Sequence, residues 1–415
     1  MRVLFTVSDW PSHYYPMVPL GWALQAAGHE VRVACAPSQR DPVRQAGLLP
    51  VPLAEPPMDM LTQNRLWNYW AAKAGGWPHA HLPPDPVTGR PLASLDDFDF
   101  AAFRAARREH NLRAAAAAHD AVVAYARDFR PHLVVHDRLS PEGVLAARVL
   151  GVPSVLHLWG PHGTAEPEPE LSAMPGDPSG SFPRYGVGEW SPDLIEYVID
   201  PCPPGMRPPL GPGVTRLPVR YVPYNGARSA PAAPPVKKAG RTRVCLAWGN
   251  SLSRAYGPAA HVLPGLVEAL RAPDRELLLL APPDDLPARP GPGVTVLEDC
   301  PLHLALRGCD AVVHYGGAGC TMTAMQAAVP QVVVPFSPDL ALNARRVTEA
   351  GAARTVPAHT EDLYARVATT VTALLTTPPH TTAARKLAQQ NDSAPTPAQL
   401  ATHLETNLAS HRPAA

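Results

Sequence analysis

Val312-Val313-His314-Tyr315-Gly316-Gly317-Ala318-Gly319-Cys320-Thr321 is the stretch that decides the fold of this chain. An apolar run ends in a glycine-rich turn, and residues 321–328 after it have the make-up of a helix. A strand that enters a helix through glycines aims unpaired N–H groups and the positive end of a helix dipole at one spot. Such a spot holds a phosphate without a metal. A second apolar run comes directly after, Val329-Pro330-Gln331-Val332-Val333-Val334-Pro335, and then Asp339-Leu340-Ala341-Leu342-Asn343-Ala344. Strand, helix and strand in this succession read as α/β structure with a parallel, doubly wound sheet.

The start of the chain repeats the pattern. Residues 2–7 read as strand, 8–15 as loop, 16–27 as helix with Pro16 and Pro19 in its first turn, and 30–36 as strand after a Gly28 stop. Further on, the spacing predicts helix over 103–129, strand over 132–136, helix over 141–150 and strand over 154–158. A second series places strands at 244–248, 276–280, 294–297, 311–314 and 331–334, and 381–410 is helical in pattern. Residues 50–100 and 163–215 are rich in proline and break the alternation, as binding loops or partner surfaces do. The expected division is a first Rossmann-like domain over 1–224, a linker over 225–240, a second over 241–395, and a helix and tail over 396–415.

Composition narrows the function. At 415 residues the chain suits two domains. Lys+Arg and Asp+Glu are both 36, and no basic stripe stands out, so a nucleic-acid partner is not expected. The six cysteines form no C-x-x-C pair and sit mostly in apolar runs, which suits buried free thiols in a reducing cytoplasm. The first apolar run is too short for a signal peptide and none reaches membrane length, so a cytoplasmic protein without membrane insertion is expected.

Several residues have chemistry to offer. His13 comes just after the first strand, where α/β sheets place ligands, and a histidine near neutral pKa can take a proton once a carboxylate fixes its tautomer. Asp137, at the end of the 132–136 strand, is its candidate partner, with Asp9 and His136 as alternatives and an N-cap or a pair with Arg138 as the structural reading. Asp97-Phe98-Asp99 has the spelling of a metal-binding D-x-D, but it precedes an alanine-rich helix in an irregular segment, so it reads as a cap and no metal is expected. Trp159 is placed on the acceptor side by position alone, together with Trp10, Tyr14 and Trp67.

The block 314–344 resembles the donor-binding signature of inverting, nucleotide-sugar-dependent glycosyltransferases of natural-product pathways, H-G-G-x-G-T, then G-V-P-Q, then D-Q-x-x-N-A. His13 matches that family's S-H-x-x-x-x-x-P-L element, and Arg220-Tyr221-Val222-Pro223-Tyr224-Asn225-Gly226 resembles the macrolide-type deoxysugar enzymes of actinomycetes. The resemblance implies a GT-B architecture of the family 1 type, two facing Rossmann-like domains with a cleft between them. It implies transfer of a deoxysugar from a dTDP-sugar to a hydrophobic, polyketide-like aglycone in antibiotic biosynthesis, with no cofactor beyond that co-substrate. His13 and Asp137 would be catalytic. Ser251, Ser253, Cys300, Leu302, His314, Tyr315, Gly317, Ala318, Gly319, Cys320, Asp339 and Leu340 would contact the donor. An auxiliary protein related to cytochrome P450 is a candidate partner, at the tryptophan-bearing segment 67–77, and a homodimer is a candidate assembly.

Three departures are visible. Tyr315 stands where the family has histidine, Cys320 where it has Thr or Ser, and Leu340 where it has the glutamine that binds a sugar hydroxyl. A leucine there suits a deoxygenated sugar, since a polar group facing a missing hydroxyl would be left unpaired. The rival readings are a nucleotide-sugar epimerase of the same architecture, a catalytically impaired nucleotide-binding homologue acting as a partner protein, and an NAD-dependent enzyme. The last is disfavoured because residues 8–15 contain no glycine.

Overall fold

Strands such as Leu133–His136 and Ala311–His314 are apolar up to a closing histidine and entirely buried, as strands covered by helices on both faces must be. The computed structural model describes residues 1–231, 236–249 and 251–409. Parts of the expected linker (232–235) and tail (410–415), and Asn250, lie outside the described residues.

The chain forms two compact units, one of Met1–Asp59, Ala101–Ala227 and the stretch from Asn391, the other of Met60–Phe100 and Arg228–Gln390. In the first, β1 (Arg2–Thr6), β2 (Glu30–Cys35), β3 (Leu49–Pro52), β4 (Leu133–His136), β5 (Ser154–His157), β6 (Tyr197–Asp200) and β7 (Thr215–Pro218) make a seven-stranded sheet in the order β3-β2-β1-β4-β5-β6-β7. In the second, β8 (Thr242–Ala247), β9 (Arg275–Leu280), β10 (Val294–Val296), β11 (Ala311–His314), β12 (Gln331–Val333) and β13 (Ala353–Thr355) make a six-stranded sheet in the order β10-β9-β8-β11-β12-β13. All pairings are parallel. Each unit therefore reverses strand order once, between β1 and β4 in the first and between β8 and β11 in the second. Such switch points are where α/β sheets open a crevice beyond the strand ends.

The structure departs from the sequence expectation in several places. β3 and β7 lie at the two edges of their sheet and contain proline, which an edge tolerates and an inner strand does not. That proline hid β3 and β7, and β6 (Tyr197–Asp200) and β13 (Ala353–Thr355) were also not expected. Residues 8–15 are not all loop: Pro11–Tyr14 forms one helical turn with proline at its start, and His13 sits on it. Ser251 opens a short helix, Ser251–Tyr256, in place of a turn. Residues 60–100, from the first half of the sequence, pack with the second unit. The Met60–Lys73 helix lays Arg65 Nε and Asn68 Nδ2 on the carbonyls of Arg254 and Ala255, at 2.8 and 2.9 Å, and Trp77 stacks on Tyr256 at 5.6 Å. At the other end of the chain, the Asn391 amide bonds both the N–H and the carbonyl of Tyr221, which ties the last residues to the first unit. Among the described residues, no helix is long and apolar enough to cross a membrane.

Candidate functional site

The first switch point is built by short-range packing. Thr6 lies level with His136, so the chain leaves β1 and β4 side by side and the Asp137 N–H donates to the Thr6 carbonyl at 3.1 Å. The helix Pro141–Leu150 comes in close because residue 143 is glycine: a Cβ there would stand 2.1 Å from Thr6 Oγ1. The Asp137 carboxylate is fully buried. It accepts four hydrogen bonds, from Leu139 N (2.9 Å) and Ser140 Oγ (2.8 Å) on one oxygen and from Ser8 N and Ser8 Oγ (both 2.7 Å) on the other. Burial pushes this carboxyl up, and those donors oppose the shift.

His13 does not touch Asp137 directly. Its Nδ1 lies 3.0 Å from Ser8 Oγ, and Ser8 supplies the bridge. The ring is stacked on Trp159, with centroids 4.1 Å apart and planes at 19°, and Trp10 lies at 6.5 Å. Burial lowers His13 to about 3, with the nearby His162 and Arg138 acting in the same direction, so the ring is neutral at physiological pH. Arg138 does not pair with Asp137: its guanidinium donates to the carbonyls of Gly163, Leu171 and Ala173. The His136 ring turns back onto the carbonyl of Asp137 at 2.9 Å. Tyr14 corrects an expectation. It is buried in the core and its hydroxyl donates to Gln39 Oε1 at 3.1 Å, so it does not face an acceptor.

At the second switch point the backbone carries the polar groups. Gly316 has φ +97°, and a Cβ there would meet the Leu340 carbonyl at 2.8 Å, so only glycine fits the turn. The helix Ala318–Gln326 starts three residues earlier than the sequence suggested. Its first intrahelical bond from this end is Thr321 N to Gly317 O, which leaves the amides of Ala318, Gly319 and Cys320 without acceptors within the helix. All three residues are partly exposed, and the space where a Cβ of residue 319 would stand is open. Tyr315 lies across the turn. Its hydroxyl is 3.4 Å from Ser251 Oγ and would be 2.6 Å from a Cβ on Gly249, so that glycine makes room for the phenol. Burial pushes the Tyr315 hydroxyl up and keeps it protonated. Burial also raises the Cys320 thiol, to about 11, against the opposing charge of Arg228. Arg228 and Ser229 are tied to Asp299, at 3.7 Å for the ion pair and 3.1 Å for the Ser229 N–H to the Asp299 carbonyl.

His314 is the clearest correction among the donor residues. It is fully buried, its Nδ1 accepts from Gly316 N at 3.1 Å and its Nε2 meets Gln331 Oε1 at 2.9 Å, so it shapes the turn from behind. Cys300 and Leu302 are likewise buried in the core. Ser253 bonds Asp285. Asp339 is exposed in the first turn of the helix Pro338–Glu349 and accepts from Ser337 Oγ, while Leu340 packs against the core behind the turn. Trp67 stands 66 % exposed on the Met60–Lys73 helix of the second unit. Asp97 caps a short turn by accepting from Ser94 N at 2.9 Å and Ala93 N at 3.0 Å.

Sequence reasoning missed Ser8, Arg228, Gln331 and Asn343. The Asn343 amide donates to the Gly316 carbonyl at 2.9 Å and pins the turn. Gln331 and Asn343 stand inside the 314–344 motif, and Ser8 comes just past β1, so position could have flagged them. Nothing in the sequence marks Arg228.

The comparisons with known proteins agree across the chain. Residues 95–249 match the family described as erythromycin biosynthesis protein CIII-like, N-terminal domain, and residues 266–407 match its C-terminal domain. The chain is 34% identical to an L-demethylnoviosyl transferase of Streptomyces niveus, over 100% of both chains. It is 33% identical to a 10-deoxymethynolide desosaminyltransferase of Streptomyces venezuelae, over 99% of this chain and 98% of the relative. Among solved structures it resembles the spinosyn rhamnosyltransferase SpnG complexed with thymidine diphosphate, with a TM-score of 0.72 and 29% identity, covering 98% of this chain and 100% of that one.

Proposed function

We propose, on the premise that this chain belongs to the erythromycin biosynthesis protein CIII-like family of glycosyltransferases, that its two switch points divide the work of one sugar transfer. The protein is a glycosyltransferase of GT-B fold that moves a deoxysugar from a dTDP-sugar to a polyketide aglycone. The observation that carries the donor assignment is the turn at Gly316–Cys320. Its free helical amides and open space over Gly319 suit a diphosphate, whose charge grows as the sugar leaves. Tyr315 and Ser251 supply hydroxyl donors beside those amides, and Arg228 supplies a positive charge. The backbone around Cys300 and Leu302 is assigned to the base of the nucleotide. Asp339 is assigned to a sugar hydroxyl and Leu340 to a deoxygenated position of the sugar. His13 is assigned the acceptor proton: neutral and stacked on Trp159, it takes that proton as the acceptor oxygen or nitrogen attacks the anomeric carbon.

Calorimetric titration with dTDP, UDP and NAD tests the donor half. Selective dTDP binding is expected; preference for NAD, or no nucleotide bound, overturns it. For the acceptor half, His13→Ala should lower kcat by about 10²- to 10⁴-fold with dTDP affinity intact. Because fixed amides and Arg228 meet the diphosphate charge, chelation with EDTA should leave the rate unchanged; a rate restored only by added magnesium would refute that. Trp67 and Trp70, 66 % and 55 % exposed at helical spacing, support a contact surface for an auxiliary protein. Full activity of the purified chain by itself removes that assignment.

A further inference from the structure

We propose that Ser8 is a positioning residue, whose hydroxyl sets the tautomer of His13 so that Nε2 carries the lone pair that receives the acceptor proton. The inference rests on the assignment of His13 as the base. A serine hydroxyl has one proton. Ser8 Oγ lies 2.7 Å from Asp137 Oδ2 and 3.0 Å from His13 Nδ1, so it faces two potential acceptors at once. Asp137 accepts Leu139 N and Ser140 Oγ on Oδ1 and Ser8 N on Oδ2, and in its carboxylate form it takes the Ser8 Oγ–H as a fourth donor. Ser8 must then give its proton to Asp137, which leaves its lone pairs facing Nδ1. Nδ1 must therefore carry the hydrogen, and Nε2 is left as the acceptor.

The arrangement is anchored on two sides. The Ser8 main chain is bound to the same carboxylate at 2.7 Å, so the hydroxyl cannot drift away from it. Trp159 fixes the plane of the His13 ring by stacking at 4.1 Å. When the ring takes the acceptor proton, Nδ1–H strengthens its bond to Ser8, and the negative charge of Asp137 is felt through that polarised hydroxyl. In that step the acceptor–H bond breaks as Nε2–H forms, the acceptor bonds the anomeric carbon and the diphosphate oxygen leaves with its electron pair, while Ser8 and Asp137 keep their protonation. A direct carboxylate contact would do the same at closer range; one intervening hydroxyl keeps the tautomer while leaving the ring a weaker base.

The test uses the full-length protein labelled with ¹⁵N-histidine, with His13 assigned by its loss in His13→Gln. Nitrogen shifts should show His13 with protonated Nδ1 and bare Nε2. In Ser8→Ala this signature should move toward protonated Nε2, kcat should fall by about 10²-fold or more, and the donor KM should stay within about twofold. Ser8→Thr, which keeps the hydroxyl, should restore both tautomer and rate. A wild-type His13 with protonated Nε2, or a Ser8→Ala enzyme with wild-type kcat while His13→Ala is inactive, overturns the proposal and leaves the base assignment standing. An active His13→Ala enzyme overturns the base assignment itself.

Discussion

His136 and His314 occupy the same place in the two units, at the end of the strand beside the switch point, yet they are used in opposite ways. The His136 ring sits 2.9 Å from the carbonyl of Asp137, so its Nδ1 donates; the His314 Nδ1 accepts from the amide of Gly316 at 3.1 Å, so its Nε2 donates to Gln331. The residues past each strand differ accordingly. After β4 come Asp137, Arg138 and Ser140, and side chains supply the polar groups. After β11 come Tyr315, Gly316 and Gly317, and the main chain supplies them. On the proposed reading, one topology thus serves proton transfer at one site and anion binding at the other, depending on whether the residues past the strand carry side chains or expose backbone.

The comparison can be broken most directly at Asp137. If side chains carry the first site, Asp137→Ala should cost kcat about 10²-fold or more, with dTDP affinity unchanged by calorimetry. A matching loss of dTDP affinity would mean that the two sites are not separable in this way. At the second site the main chain should be the sensitive element. Gly316→Ala forces a side chain into φ +97° and against the Leu340 carbonyl, so dTDP affinity should fall at least about 10-fold, together with a lower Tm. Retention of wild-type affinity would shift the anion site away from this turn.

Acid should separate the units as well. Burial holds His13 at about 3 and His136, His157 and His314 at about 4, against about 6.5 in the unfolded chain. Between these values the unfolded chain binds protons that the fold excludes, so stability is complete above about pH 6.5 and falls as the pH drops toward 4. Three of the four belong to the first unit; its Glu142, which burial raises to about 8, takes up a proton on folding over the same range and offsets about one of them, so calorimetry at pH 7.5 and 5 should show that unit's transition falling modestly farther. An equal fall in both units would contradict the assignment. The smallest effect is expected from Tyr315→Phe. It removes one hydroxyl among several donors, and dTDP affinity should weaken only about threefold to tenfold.

The site was legible in the sequence to different depths. The turn at Gly316–Cys320 could be read in place because a positive φ, a helix start and a buried strand each demand particular residues. His13 and Asp137 could be named from their positions after β1 and β4, but the hydroxyl between them could not, since one serine near a strand end resembles many others. Tyr14 and His314 were misread for the complementary reason. A polar aromatic or a histidine beside a motif looks the same whether it faces a ligand or completes the core.

The sequence by itself determined the doubly wound character of both sheets and the turn after β11, because both are local. Apolar runs, glycines and prolines act within a few residues of where they stand. Only the tertiary structure decided that Ser8 stands between His13 and Asp137, that Asn343 pins the Gly316 carbonyl and that residues 60–100 pack with the second unit. Each of these joins positions far apart along the chain, at distances of about 3 Å, where the direction of a single hydrogen bond settles what a residue does.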